Sequence, residues 1–170
     1  MKSLVYMTGF MGAGKSTIGS LLASAMNWKF IDMDLLIEKQ QQCSIFEIFR
    51  LQGEGCFRKI ESRILHTIAQ STEAVVATGG GVLLRARNRE LMKKTGVQVW
   101  LQWEFDNLVR NVMKNPSARP LYTDENSFRN LFNKRQKGYA GADTVIKCDN
   151  KSPEIIVNEI LQYMSISTTI

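Results

Sequence analysis

A single histidine, His66, stands in this chain of 170 residues, and its three cysteines, Cys43, Cys56 and Cys148, are odd in number and far apart. A disulfide framework needs paired cysteines and a zinc site needs clustered sulfur and nitrogen ligands, so neither is expected. No apolar run approaches the roughly 20 residues of a membrane helix, which removes the bilayer as a partner. The opening MKSLVYMTG carries one Lys and an apolar stretch that breaks at Thr8 and Gly9, too short for a secretory signal. These absences predict a cytoplasmic protein with reduced thiols. Proline is scarce as well, at three residues, and two of the three fall in one segment, NPSARPLYTDEN at 115 to 126.

Positive charge is in modest excess, 22 Lys and Arg against 16 Asp and Glu, for a net +6. The excess is scattered, without a basic run interleaved with aromatics, so it points to an anionic small molecule rather than to nucleic acid. With 44% hydrophobic and 22% charged residues, the composition is that of one globular domain long enough to bury a core unaided.

Short apolar runs alternate with helical periodicity along the chain. LVYMTG (4 to 9), KFIDMD (29 to 34), AVVAT (74 to 78), VQVWLQW (97 to 103) and DTVIKC (143 to 148) read as strands. Between them, KSTIGSLLASAM, SIFEIFRLQ behind a capping Ser44, CFRKIESRILHTIAQ, RARNRELMKKT, EFDNLVRNVMK and SFRNLFNKRQKGYA read as helices. SPEIIVNEILQYM closes the chain as a helix with Pro153 in its first turn. The expected fold is a three-layer α/β/α domain on a five-stranded parallel sheet. Right-handed crossovers place all strand ends along one edge, where ligands bind. The aperiodic 115 to 126 segment is about twice the usual connection length, which suits a lid.

GFMGAGKST, residues 9 to 17, matches GxxxxGK[ST] through Gly9, Gly14, Lys15 and Ser16, between a predicted strand and a predicted helix. Glycines let the backbone curl its N–H groups toward phosphate oxygens, and the helix adds its positive end. Lys15 would reach the outer phosphates and Ser16 would ligate Mg²⁺, so a nucleoside triphosphate is the expected ligand. In FIDMDLL, Asp32 and Asp34 project the same way if the strand persists, one suited to Mg²⁺ and the other to an attacking hydroxyl. Alternatively Asp34 caps a helix beginning at Leu35 and Asp32 is a solvated strand end.

Three arginines stand out. Arg135 occupies a core-facing slot in the stripe Phe128, Leu131, Phe132, Tyr139, and a buried guanidinium needs an anion, internal or bound. Arg58 lies beside Phe57 with Glu61 three residues on, which alone reads as a surface ion pair. Arg119 precedes Pro120 in the long loop, either solvated or carried over a triphosphate by a lid. His66 is assigned no role.

GFMGAGKST, FIDMD, SIFEIF, GEGCFRKIES, ATGGGV, ARP and the KR of NKRQKGY, in that order, resemble the shikimate kinase family over nearly the whole chain. The resemblance implies a single kinase domain over 1 to 170 with the fold of nucleoside monophosphate kinases, an acceptor-binding region at about 33 to 61 and a lid at about 114 to 126. It implies transfer of the γ-phosphate of ATP to the 3-hydroxyl of shikimate, a step toward chorismate and the aromatic amino acids. Asp34 would contact the reacting hydroxyl as candidate base, with Lys15 and Arg119 as its catalytic companions. Arg58, Gly80 and Arg135 would join Asp34 in binding shikimate. Gly12, Ala13, Gly14, Lys15, Ser16, Thr17 and Arg119 would bind ATP, and Ser16 and Asp32 one Mg²⁺ per subunit. Arg110 and the segment CDNKSPE correspond to adenine contacts. Shikimate and ATP are the partners, without nucleic acid or membrane, and a monomer is expected.

The KR is followed by QKGY, which keeps Tyr139 without the proline of many relatives. A gluconate-type kinase and a nucleotide-binding module without transfer are the alternatives. Intact Lys15, Asp34 and the three arginines argue against the second. Within VVATGGGVLL, no Lys or Ser/Thr follows the glycines as in a phosphate loop. Gly79, Gly80 and Gly81 are expected to let backbone amides approach the polyhydroxylated acid, or else to form a flexible turn.

Overall fold

A computed structural model describes residues 3–113 and 124–168. The five strands β1 (Leu4–Thr8), β2 (Lys29–Asp32), β3 (Ala74–Ala77), β4 (Gly96–Gln102) and β5 (Thr144–Lys147) are all parallel, in the order β2-β3-β1-β4-β5. β1 and β3 are buried at every position, as uninterrupted apolar runs covered on both faces should be. Pairing is in close register, Leu4 opposite Ala74 on one side and Gly96 on the other.

Helices α1 (Lys15–Met26), α2 (Met33–Gln41), α3 (Ile45–Ile68), α4 (Ala86–Thr95), α5 (Phe105–Met113), α6 (Glu125–Tyr139) and α7 (Pro153–Thr168) fill the connections. α1 packs on β2, β3 and α7, while α4 lies on β4. The chain leaves β1 toward β2 on one side and later crosses from β3 to β4 on the other, so the end of β1 is the switch point of the sheet.

Two junctions differ from expectation. β2 stops at Asp32 because the Asp32 carboxylate caps α2, accepting from the N–H groups of Asp34 at 3.0 Å and Leu35 at 3.2 Å. Asp34 therefore stands in the first turn of a helix, and the strand alternation expected to align it with Asp32 does not exist. SIFEIFRLQ and CFRKIESRILHTIAQ run on as α3, broken at Gly53, whose φ of 77° and ψ of 168° are not helical. Ser44 caps α3 as expected, and a reciprocal bond from its own N–H to Glu47 completes a capping box.

An aromatic cluster fixes the loop after β1. Phe10, 2% exposed, packs on Phe128 at 4.9 Å and Phe132 at 5.4 Å, and Phe105 meets the same two rings. α6 is thereby seated beside that loop. All three cysteines are free, and burial pushes the Cys148 thiol up to about 12. No helix among the described residues is long and apolar enough to cross a membrane.

Candidate active site

The loop from Gly9 to Thr17 leaves β1 and enters α1. Gly12 and Gly14 take φ of 84° and 79°, the left-handed region that glycine adopts without a side-chain penalty. Gly14 is the N-cap of α1 and contributes no side-chain cap, so the helix presents its positive end bare of protein side chains at that position. Lys15 lies across the loop, its Nζ donating to the carbonyls of Gly9 at 3.0 Å and Phe10 at 2.9 Å. Ser16 donates its hydroxyl proton to Asp32 Oδ2 at 2.5 Å.

Facing the loop is a cavity of about 630 Å³, a size suited to a small-molecule site. Lys15, Ser16, Asp32, Asp34, Arg58, Glu61, Gly79, Gly80, Gly81 and Arg135 line it, with Leu35, Phe46, Phe49 and Phe57 as an apolar wall. Residues distant in sequence are thus brought together, and a phosphate loop shares one cavity with a carboxylate and two arginines.

Arg58 is no surface residue: it is 7% exposed and Glu61 only 1%. Its Nη1 donates to both Glu61 oxygens at 2.9 Å, while Nε and Nη2 reach Glu54 at 3.2 and 3.0 Å. Spacing alone suggested a solvated pair, but the Phe57 and Ile60 side of α3 turns inward and carries Arg58 with it. Burial, with Asp34 nearby as a second negative charge, holds the Glu61 carboxyl above the usual range despite the attraction of Arg58.

Arg135 is 6% exposed and fills the core-facing slot its spacing indicated. Its guanidinium lies 5.8 Å from the Phe10 ring, and its Nε has no hydrogen-bond partner among the described residues. Burial lowers its affinity for its proton, the direction expected of a desolvated cation.

The three glycines contribute their missing side chains in a way the sequence did not indicate. A Cβ on Gly79 would lie 2.9 Å from Glu61 Oε1 and 3.0 Å from Asp34 Oδ1; on Gly80, 3.2 Å from Arg135 Nη1; on Gly81, 2.5 Å from Arg58 Nη2. The space next to each glycine is taken by a charged group of the cavity, where an approaching substrate ring had been expected. Tyr139, known from sequence as part of an apolar face and as the tyrosine kept after the KR, donates its hydroxyl to Gly80 O at 2.6 Å, and burial pushes its pKa up to about 12. Its position four residues after Arg135, on the same helix face, was the signal that it belonged to the site.

Arg119 and most of the lid segment lie outside the described residues. Gly12, Ala13 and Gly14 sit in the loop and Thr17 in the first turn of α1; none of them is a wall of the 630 Å³ cavity, and neither is Arg110, exposed on α5. His66 is exposed on α3, and Pro153 opens α7, as read from sequence for the proline.

Sheet order, loop and cavity define a P-loop kinase of the small-molecule type. The family model of shikimate kinase matches residues 11–165. A shikimate kinase of Persephonella marina is 41% identical over 158 residues, covering 92% of this chain and 96% of that one. Among solved structures, a shikimate kinase from Acinetobacter baumannii in complex with shikimate superposes with a TM-score of 0.92 at 31% identity, over 97% of this chain and 94% of that one. A gluconokinase from Sinorhizobium meliloti, with a TM-score of 0.61 at 17% identity over 93% and 89%, shares the fold alone. The chain belongs to the shikimate kinase family, whose enzymes pass a phosphoryl group from ATP to shikimate.

Proposed function

We propose that this chain transfers the γ-phosphate of ATP to the 3-hydroxyl of shikimate, giving shikimate 3-phosphate and ADP. The observation that carries the acceptor half is Arg135, a buried guanidinium with an unpartnered Nε on a cavity that also holds the phosphate loop. Leaving a buried cation short of an anion is costly, and a carboxylate ligand offsets that cost. Arg58 would share the carboxylate with Arg135, held in aim by Glu61 from below. Apolar Phe49 and Phe57, packed with ring centroids 4.7 Å apart and tilted by 39°, would cover the ring.

Asp34 would accept the hydrogen bond of the attacking hydroxyl and orient it toward the phosphate. Phosphoryl transfer is mostly positioning and electrostatics, so orientation matters more than proton removal. Lys15 and the α1 N-terminus would offset the charge of the outer phosphates, with the amides of Gly12 to Thr17 around them. Arg119 would add charge from a lid at about 114 to 126, and the acceptor region would span about 33 to 61.

Among the described residues no cluster of three or more His, Cys, Asp or Glu side chains is placed to hold a metal by itself. The paired Ser16 hydroxyl and Asp32 carboxylate are hard oxygen donors beside the phosphate loop, a set that fits Mg²⁺ shared with phosphate and water. When bound, the ion neutralises phosphate charge. The same reading takes the chain as a cytoplasmic monomer.

Mixing the protein with MgATP and shikimate should release ADP in proportion to shikimate. Release no faster than with ATP alone sinks the assignment in favour of a nucleotide-binding module. Asp34→Asn should lower kcat by about 100-fold or more while MgADP still binds. Full activity in that variant removes its role.

A further inference from the structure

Two side chains outside the cavity grip the carbonyl side of the phosphate loop. The indole N–H of Trp103, one residue beyond β4, donates to Ala13 O at 3.1 Å, and the Asn111 amide on α5 donates to Gly12 O at 3.2 Å. In a planar trans peptide the C=O and the next N–H point in opposite directions. Drawing the Gly12 and Ala13 oxygens outward therefore aims the N–H groups of Ala13 and Gly14 into the loop. The Ala13 N–H is engaged by Phe10 O at 3.2 Å, which closes a turn across the loop, so of the two it is the Gly14 N–H that faces phosphate.

Something must impose this orientation, because Gly12 and Gly14 have many other backbone states open to them. α5 is pressed against the loop at the same place: a Cβ on Gly12 would lie 2.9 Å from Val112 Cγ2 and 3.2 Å from Leu108 O. The contact is close enough that Asn111, one residue from Val112, reaches the loop backbone directly.

We propose that Trp103 and Asn111 are positioning residues for the nucleotide, a two-point clamp that fixes the loop's turn and keeps the Gly14 N–H directed at the phosphates before ATP arrives. They act through the Gly12 and Ala13 carbonyls. The proposal rests on the nucleotide half of the proposed function and not on the identity of the acceptor.

Calorimetric titration with MgADP and, separately, with shikimate tests it on the wild type, Trp103→Phe, Asn111→Leu and the double variant. Each substitution removes the donor and keeps most of the volume. ADP affinity should fall about 3- to 10-fold in each single variant, the loss expected for one hydrogen bond, and further in the double. Shikimate affinity should stay within about two-fold, a split that general loosening of the fold would not produce. Unchanged ADP affinity, or equal loss for both ligands, overturns the clamp. Should the double variant fail to fold, the two single variants decide. A wild type that binds MgADP but leaves shikimate unphosphorylated ends the acceptor reading alone, and the ADP comparison still stands.

Discussion

At the scale of single residues, the site is organised by what sits next to three glycines. Gly81 has φ of −111°, open to any residue, so its need for a missing side chain is steric: a Cβ there would meet the Arg58 guanidinium at 2.5 to 2.6 Å. Gly81→Ala should therefore displace Arg58 and raise the KM for shikimate about 10-fold or more, the loss expected for a charge-assisted contact, with the KM for ATP within about two-fold. Equal changes in both would mean that the glycine serves the fold as a whole. Glu61 gives a pH prediction. Burial raises its pKa in the folded protein, so its contribution to stability is fully present below the ordinary value of about 4.3 and is lost as pH rises through the elevated one. The melting temperature of the wild type relative to Glu61→Gln should fall as pH rises from about 4 to about 8, and a flat difference would sink the argument. From sequence, resemblance placed the glycines and Arg58 in one site, but it did not show that the guanidinium fills the space beside Gly81. Spacing along one helix shows that Arg58 and Glu61 meet, while their burial depends on elements that arrive from elsewhere in the chain.

At the scale of elements, terminal residues decide where functional groups end up. A strand reading of KFIDMD put Asp32 and Asp34 on one face; capping by Asp32 instead starts α2 at Met33 and gives Asp34 a helical position on the same cavity. Both residues were legible as candidates, because chemistry is carried by residue type. Their geometry was not, since an Asp at a strand end satisfies a strand pattern and a cap equally well. Gly53 and Gly55 make the same point inside α3. The two glycines are two residues apart and look equivalent in sequence, yet Gly53 has φ of 77° and ψ of 168°, a region nearly closed to other residues, while Gly55 lies within the continuing helix. Neither would bring a new Cβ within 4 Å of a neighbour, so the backbone term stands alone. Gly53→Ala should cost about 1 to 3 kcal/mol and Gly55→Ala should stabilise by about 0.5 to 1 kcal/mol. Thermal melts of the two variants should shift in opposite directions, and shifts of the same sign would show that the break at Gly53 is not a backbone requirement.

For the whole molecule, the alternation of five apolar runs with helices was enough to give a parallel sheet, but not its order. β1, β3 and β4 are all short, buried and apolar, so nothing in their composition says that β1 is central with β3 and β4 beside it. That order sets the switch point, and the switch point places the phosphate loop beside Arg135, which α6 carries in from 120 residues further along the chain than Lys15. The aromatic cluster of Phe10, Phe105, Phe128 and Phe132 secures this closure, so the core and the site share one set of contacts. A consequence follows for stability. Arg135 is 6% exposed with an unpartnered Nε, so the fold carries the desolvation cost of a cation, which under the proposed function a bound carboxylate would offset. Arg135→Met, which keeps the volume and removes the charge, should raise the melting temperature without ligand by about 2 to 4 °C, the shift expected for about 1 kcal/mol in a chain of this size. Millimolar shikimate should raise the melting temperature of the wild type and not that of this variant, because stabilisation by a ligand follows its affinity for the folded state. A variant less stable than the wild type without ligand would mean that Arg135 is held by internal partners as a structural residue, and the cavity would then lack the unbalanced charge on which its reading as a carboxylate site depends.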